Sequence, residues 1–282
     1  MDFDGTLLGS DKTIGVENRE ILIELGQKGY ARVIATGRSY YSFLKAAEPD
    51  LPVDYVIFST GAGVMLFGGE NKANSPYIIR QSALTAEDVT FISDIFEAEK
   101  LDYMIQHPIP ENHIFAYRHF RNENTYDNPD FFKRIALYQE FSYPLDDLKR
   151  RSFGPSAQLI TVFPCQTPIT LFHQIRKLLS GYTVIRSTSP LDGASFWIEI
   201  FPSTVSKSLT AKWLTEKLNI DIRFTMAVGN DYNDTDLLDW AHKSYVVENA
   251  PNDLKMNYDI VSSNNHGGVA EAIRLWRDNL KA

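Results

Sequence analysis

The spacing of apolar positions along the chain predicts an α/β fold. Apolar residues at helical spacing predict a helix over residues 17–28, which Gly29 ends. Apolar runs at 31–35 and 53–58 predict buried parallel strands, and a second helix begins near Ser39 between them. This alternation of strands and helices is typical of a doubly wound parallel sheet.

The middle of the chain has a different pattern. Thr85 and Asp88 have the spacing of a capping box, which predicts a helix running to about Lys100. Residues 101–145 are rich in aromatic residues and prolines, and predict an irregular region. Strands and helices then alternate again, which predicts a second α/β unit inserted into the first. The predicted elements are strands at 157–163, 182–186 and 196–201 and a helix over 167–181.

The pattern of the first unit returns near residue 205, with a helix from Lys207 and a strand at 224–228. We therefore expect a Rossmann-like core formed by residues 1–80 and 190–282, interrupted by an α/β domain at 81–189.

Composition and charge narrow the class of protein. The chain has 282 residues, a formal net charge of −8 and a pI of about 5.3. This acidity disfavours nucleic acid and anionic membranes as main partners, and no apolar run is long enough for a membrane span. The single cysteine, Cys165, excludes an internal disulfide; we expect it to be packed and the protein to be cytoplasmic.

The first residues, Asp2-Phe3-Asp4-Gly5-Thr6, carry the most informative chemistry. At the end of a strand, the two carboxylates would converge on one crevice and suit Mg²⁺. One carboxylate could attack phosphorus while the other carries a proton. The alternative is an ordinary Asp-Gly turn.

Two further segments have both a functional and an ordinary interpretation. Thr36-Gly37-Arg38 lies between a strand and a helix and could hold phosphate oxygens, or be a simple N-cap. Lys207 begins a helix, where a cation opposes the helix dipole and calls for a nearby anion. Otherwise it is a solvated surface lysine.

A fourth segment, residues 229–234, offers two carboxylates and two amides that could hold a metal, or form a polar turn. If it meets Asp2 and Asp4, the like charges repel unless a cation lies between them. This convergence favours Mg²⁺ as a cofactor.

In this order, the four segments resemble the motifs of the haloacid dehalogenase-like hydrolase (HAD) superfamily, and the resemblance covers nearly the whole chain. The inserted domain resembles the α/β cap of the Cof-type subfamily IIB, which contains sugar-phosphate phosphatases. The resemblance implies a Mg²⁺-dependent phosphatase that acts on a small phosphorylated metabolite through an aspartyl-phosphate.

The resemblance also implies roles for individual residues. Asp2 would be the nucleophile, Asp4 the general acid and base, and Lys207 the residue that stabilises the transferring group. The implied phosphate-binding residues are Thr36, Gly37, Lys207 and Asn233, and the implied metal-binding residues are Asp2, Asp4, Asn230 and Asp234.

The chain departs from the family pattern in the fourth motif, where Asn230 replaces the usual metal-binding aspartate and Asp231 follows it. We expect Asn230 to be a ligand; alternatively, Asp231 or Asp234 binds the metal directly. A second departure is that only Met1 precedes Asp2, where the family has an apolar strand. We hypothesise that this sequence begins late, which the intact mass of the native protein would test.

Substrate specificity is expected to come from the cap, although each candidate could equally serve packing or the surface. The resemblance leaves two alternatives open: a phosphosugar mutase, and a phosphate-binding or regulatory protein without turnover. The physiological substrate and the oligomeric state are not determined by the sequence. The cap candidates are His113, Tyr117, Arg118, His119 and Arg121.

Overall fold

The computed structural model describes residues 1–68, 76–120 and 128–280. Its strands are β1 (Val33–Ala35), β2 (Tyr55–Phe58), β3 (Gly63–Leu66), β4 (Tyr77–Gln81), β5 (Tyr103–Gln106), β6 (Phe115–Arg118), β7 (Ser142–Pro144), β8 (Leu159–Phe163), β9 (Tyr182–Thr188), β10 (Phe196–Pro202), β11 (Met226–Gly229), β12 (Lys243–Val247) and β13 (Asp259–Val261).

The helices alternate with these strands, as expected for an α/β protein. They are α1 (Val16–Gln27), α2 (Tyr40–Ala46), α3 (Ala86–Ala98), α4 (Pro129–Leu137), α5 (Asp147–Arg151), α6 (Thr170–Leu178), α7 (Lys207–Lys217), α8 (Thr235–Trp240), α9 (Asn252–Lys255) and α10 (Gly268–Asn279). Among the described residues, no helix is both long enough and apolar enough to cross a membrane.

The chain divides into two compact units. The first unit contains Met1–Arg38, Phe43–Gln81 and Ser206–Ala282, and the second contains Ser39–Ser42 and Ser82–Val205.

The first unit is built around two sheets. One has the order β1-β2-β3-β4, in which β1 and β2 are parallel and the later pairs are antiparallel. The other has the order β11-β12-β13 and is entirely parallel. Strands β1 and β11 each end one of these sheets, and the main chain of Met1 and Asp2 lies between them, hydrogen-bonded to both strands.

The second unit has one sheet with the order β7-β6-β5-β8-β10-β9. One of its hydrophobic clusters includes Val89 and Phe96 of α3, Ile175 of α6, and Leu159 of β8. Strand β10 pairs with β8 and β9, so it belongs to this sheet. The structural boundary therefore follows Val205 rather than the expected residue 189, because the expected boundary separated β10 from its partners.

The α/β class is confirmed, and so is the capping box at Thr85: its hydroxyl accepts the Asp88 N–H while the Asp88 carboxylate accepts the Thr85 N–H. The irregular region expected at 101–145 was wrong. That segment contains β5, β6, α4 and β7, whose short strands were obscured by prolines and aromatic residues. The expectation for Cys165 was also wrong, since this side chain is exposed.

Candidate active site

Residues of the predicted motifs lie where parallel strands of the first unit end. Thr36 directly follows β1, and Asn230 directly follows β11. Thr60, which belongs to none of the predicted motifs, lies just beyond β2. The Asp2 N–H donates to Val228 O at 2.9 Å, which places Asp2 beside the end of β11. Because ligands of α/β sheets bind at the carboxyl ends of strands, this edge is the candidate active site.

Lys207 links two carboxylates at the centre of this site. Its Nζ lies 2.8 Å from Asp2 Oδ1 and 2.5 Å from Asp234 Oδ1, and all three side chains are buried. Ser206 caps helix α7 by accepting the Leu209 N–H, which begins the helix at Lys207. The two carboxylates are the anions that a lysine at a helix N-terminus requires.

One lysine shared by two buried carboxylates leaves a net negative charge. Burial and the charge of Asp234 raise the pKa of Asp2 to about 7, although Lys207 acts in the opposite direction. Burial opposes the charged form of Lys207, but Asp2 and Asp234 outweigh it and raise the Lys207 pKa. Burial lowers the pKa of the Met1 amine to about 6. The site is therefore short of positive charge, which favours a bound cation.

The Asn230 side chain provides a test of whether a metal fits. One of its two terminal side-chain atoms, either Oδ1 or Nδ2, lies 3.2 Å from Asp2 Oδ2, 3.2 Å from the main-chain O of Asp4 and 3.0 Å from Thr6 Oγ1. With nitrogen in this position, the amide donates to its neighbours. With oxygen there, the Asn230 oxygen lies next to both Asp2 Oδ2 and the main-chain O of Asp4, an arrangement that a hard cation stabilises. This donor set fits Mg²⁺.

Asp234 already has other partners. Its Oδ1 accepts from Lys207, and its Oδ2 accepts the N–H groups of Asn230 and Asp231 at 2.9 and 3.2 Å. Asp234 thus fixes the loop that carries Asn230. The described residues contain no group of three or more His, Cys, Asp or Glu that could hold a metal. The ligands of a metal at this site would therefore have to include main-chain and amide oxygens.

The residues expected to bind phosphate lie close together. Thr36 is buried, and its hydroxyl accepts the Arg38 N–H at 3.2 Å. A Cβ built on Gly37 would lie 3.7 Å from Thr60 Oγ1 and 3.8 Å from Asn233 Nδ2. The structure therefore brings Gly37 and Asn233 together, and adds Thr60 to them.

Arg38 is a site residue that the sequence analysis did not assign a role. Its Nε donates to Asp4 Oδ2 at 2.6 Å and its Nη2 donates to Asp4 Oδ1 at 2.7 Å, a bidentate pair. The guanidinium also lies over the ring of Phe3, 5.7 Å from the centroid. The only signal in the sequence was the position of Arg38 directly after Thr36-Gly37.

Thr60 is the second residue that was missed. Ser59, Thr60 and Gly61 all have positive φ, at 47°, 55° and 110°. Gly61 is required here because a Cβ would lie 2.3 Å from Ser206 O. Thr60 is fully buried, and among the described residues its hydroxyl has no hydrogen-bond partner. Backbone strain beside an unsatisfied polar group is typical of a functional site.

The cap candidates lie in the second unit. Arg118 pairs with Glu97 at 3.2 Å, and His119 Nδ1 lies 3.0 Å from Asp102 Oδ1. These contacts give both residues a structural role within the unit. The remaining candidates are His113, which packs edge-on against Phe141, Tyr117, which packs edge-on against Phe131, and Arg121, which lies outside the described residues.

Fold and site together define an α/β protein with an acidic site at the carboxyl edge of parallel strands. The model of the haloacid dehalogenase-like hydrolase family matches residues 1–273. The chain belongs to this family, which makes it a hydrolase.

Relatives support this assignment over nearly the full chain. The chain is 25% identical to the phosphatase YwpJ of Bacillus subtilis, covering 97% of each sequence. It is similar in structure to BT1666, a HAD phosphatase of Bacteroides thetaiotaomicron, with a TM-score of 0.74, 18% identity and coverage of 98% and 93%. The HAD subclass IIB sugar phosphatase BT4131 is also similar, with a TM-score of 0.71, 17% identity and coverage of 98% and 97%.

Proposed function

We propose that this hydrolase is a Mg²⁺-dependent phosphatase that removes phosphate from a small phosphorylated metabolite, with a sugar phosphate as substrate class. The observation that carries the proposal is the environment of Asp2. One carboxylate oxygen is bound by Lys207, and the other lies 3.2 Å from the Asn230 side-chain amide, which is also 3.2 Å from the main-chain oxygen of Asp4. A carboxylate held in this way has a fixed orientation for attack on phosphorus.

In the proposed reaction, an Asp2 oxygen bonds to phosphorus while the bond from phosphorus to the substrate alcohol breaks. The carboxyl group of Asp4 gives its proton to the departing alkoxide. Asp4 then accepts a proton from water, which attacks phosphorus, releases inorganic phosphate and restores Asp2.

Arg38 suits a positioning role for Asp4. The bidentate pair orients Asp4 as a carboxylate, and its side chain is 35% exposed. One of the two bonds to Arg38 must break, and the freed oxygen must take up a proton from solvent, before Asp4 can protonate the leaving alkoxide. A fixed orientation matters because the same carboxyl group must reach first the leaving alcohol and then the water.

Charge neutralisation is the second requirement of phosphoryl transfer. Lys207 would bind the transferring group, while Thr36, Gly37 and Asn233 would hold its oxygens. Mg²⁺, held by Asp2, the main-chain oxygen of Asp4 and Asn230, would supply positive charge that offsets the charge of the phosphoryl group. Asp234 would act through Lys207 and the loop of Asn230.

The substrate class is proposed from relatives. BT4131 is described as a sugar phosphatase, and another relative, YcsE of Bacillus subtilis, as a 5-amino-6-(5-phospho-D-ribitylamino)uracil phosphatase. YcsE is 23% identical to this chain, and the match covers 98% of this chain and 94% of YcsE. Both names describe small phosphate monoesters, which supports that class for this chain.

The first test is hydrolysis of p-nitrophenyl phosphate with Mg²⁺, with EDTA, and by the Asp2→Asn variant. Asp11→Asn is the matched control, because Asp11 is an exposed carboxylate whose side chain hydrogen-bonds to Thr13. We expect turnover that requires Mg²⁺, falls by at least about a thousandfold in Asp2→Asn, and is unchanged in Asp11→Asn.

A panel of sugar phosphates, with inorganic phosphate measured directly, would then separate hydrolysis from transfer to another hydroxyl. Turnover that persists in EDTA or in Asp2→Asn would contradict the proposed mechanism. Phosphate binding without turnover in the unmodified chain would favour a binding protein instead.

A further inference from the structure

Residues 4–8, here called the Asp4 loop, carry both the carboxyl group and the main-chain oxygen that the proposed reaction assigns to Asp4. Two main-chain N–H groups at the end of the loop donate to Phe3 O at 3.1 and 2.9 Å, which closes the loop into a turn. Gly5 lies inside this turn with a φ of 74°. Because glycine adopts more backbone conformations than any other residue, the direction of the Asp4 main-chain oxygen depends on what holds Gly5.

The side chain of Asn249 bonds directly to Gly5. Its Nδ2 donates to Gly5 O at 2.8 Å, although the two residues are 244 positions apart. A Cβ built on Gly5 would lie 2.7 Å from the terminal side-chain atoms of Asn230, so the candidate metal ligand also lies next to this glycine. The hydrogen bond from Asn249 thus fixes the peptide unit that directly follows the one containing the Asp4 main-chain oxygen.

A second asparagine, Asn264, holds the far end of the same loop. Its Nδ2 donates to Leu8 O at 2.9 Å, and this hydrogen bond is buried. The main-chain N–H of Asn264 donates in turn to Asn249 Oδ1 at 3.0 Å. The two asparagines are therefore bonded to each other and to two carbonyl groups of the Asp4 loop, Gly5 O and Leu8 O.

Both asparagines lie beyond the carboxyl ends of parallel strands. Asn249 lies in the turn after β12, which the Ala250 N–H closes by donating to Val247 O at 2.9 Å, and Asn264 follows β13. Strands β11, β12 and β13 are parallel in one sheet, so their ends share the edge at which β11 carries Asn230. The sheet thus supports the two asparagines on the same edge as the candidate active site.

We propose that Asn249 and Asn264 are positioning residues for Asp4. They hold the Asp4 loop so that the main-chain oxygen and the carboxyl group of Asp4 keep the directions that Mg²⁺ binding and proton transfer need. In this role neither asparagine touches the substrate. The catalytic consequence rests on the proposed function, whereas the hold on the loop is measurable without turnover.

The test compares two replacements of Asn249 with a matched control in the segment of Asn264. Asn249→Ala removes both side-chain contacts, while Asn249→Asp keeps the size and the acceptor but has no N–H to donate to Gly5 O. The control is Asn265→Ala. Asn265 is exposed and its Oδ1 accepts the Ser10 N–H at 2.8 Å, outside the Asp4 loop, so its replacement leaves the loop contacts intact.

The first measurement is amide hydrogen exchange at Leu7 and Leu8, whose N–H groups close the Asp4 loop. We expect both Asn249 variants to exchange faster at these amides by at least about tenfold, because the loop opens more often. The thermal midpoint should fall by no more than about 2 °C, since Asn249 is exposed. Asn265→Ala should change neither quantity.

The second measurements are Mg²⁺ affinity by calorimetry and turnover of p-nitrophenyl phosphate. In both Asn249 variants the Mg²⁺ affinity and kcat should each fall by about tenfold, as expected when a residue that orients a metal ligand is lost. KM should change little, because the proposed phosphate-binding residues lie on other segments. Asn265→Ala should retain the affinity, kcat and KM of the unmodified chain.

Unchanged exchange at Leu7 and Leu8 in both Asn249 variants would overturn the proposal, because other contacts would then hold the loop. Faster exchange with unchanged kcat and unchanged Mg²⁺ affinity would also overturn it and make the asparagines structural. If the unmodified chain has no phosphatase turnover, the proposed function fails, and amide exchange together with Mg²⁺ affinity decides the role of the two asparagines.

Discussion

Replacing Lys207 with methionine is the sharpest test of how the site is held together. Methionine keeps an unbranched apolar stem of similar length but removes the cation. In the structure, Lys207 is fully buried and its Nζ bonds to Asp2 at 2.8 Å and to Asp234 at 2.5 Å. The variant therefore leaves two buried carboxylates next to each other without a shared partner.

The expected loss of stability follows from this arrangement. Removing one partner from a buried ion pair destabilises a protein by about 3–5 kcal/mol, because the remaining charge stays buried. For a protein of this size, that corresponds to a fall in thermal midpoint of roughly 6–20 °C. Loss of the lysine should also raise the pKa of Asp2 further above its usual range, since Lys207 is the group that opposes the effects of burial and of Asp234.

The assay is thermal unfolding of Lys207→Met with EDTA and with Mg²⁺, next to Lys212→Met as a matched control. Lys212 is on the same helix but exposed, so its replacement should change stability by no more than about 0.5 kcal/mol. Mg²⁺ should restore part of the stability of Lys207→Met, because it would supply positive charge beside Asp2. Phosphatase turnover should be lost in this variant and retained in Lys212→Met.

A combined variant separates charge from packing. In Lys207→Met with Asp234→Asn, one of the two unpaired carboxylates is gone, so the double variant should lose less stability than the sum of the single changes. If Lys207→Met unfolds at the same temperature as Lys212→Met, the three side chains do not form the buried ionic group that the site argument requires.

Three further changes test individual contacts. Asn230→Asp adds a carboxylate beside Asp2, so it should tighten Mg²⁺ binding by at least about tenfold in calorimetry and lower the thermal midpoint in EDTA. Unchanged or weaker binding would count against Asn230 as a ligand. Thr60→Val keeps the branched shape but removes an unsatisfied hydroxyl, so it should leave the thermal midpoint equal or higher and weaken the binding of inorganic phosphate. Thr60→Ser keeps the hydroxyl and should retain phosphate binding. A lower midpoint with unchanged binding would make Thr60 structural. Arg38→Lys loses the bidentate pair with Asp4 and should lower kcat by about tenfold with little change in KM; an effect on KM alone would place Arg38 in substrate binding instead.

The elements of the first unit could largely be predicted from the sequence, because their signals are local. Each signal comes from residues that are close together in the sequence: the apolar spacing within α1, and the apolar runs within β1 and within β2. Each such segment therefore indicates its own secondary structure. In the second unit, the capping box at Thr85 is likewise decided within four residues.

The second unit was harder to predict because its short strands are defined by their partners. Strands β5 and β6 have four residues each, and β7 has three. At this length, pairing across the sheet outweighs local preference. Strand β10 was predicted from the sequence, but only its pairing with β8 and β9 showed that it belongs to the inserted unit.

The sequence by itself determined the α/β class and the order of the motifs that carry Asp2, Asp4, Thr36, Lys207 and Asn230, because residue types and short spacings are encoded locally. Only the tertiary structure decided which of these side chains meet. Lys207 and Asp2 are 205 positions apart, and Arg38 and Asp4 are 34 apart, yet each pair is hydrogen-bonded. Such contacts depend on how the strands and helices pack, since packing fixes the directions of side chains that are distant in sequence.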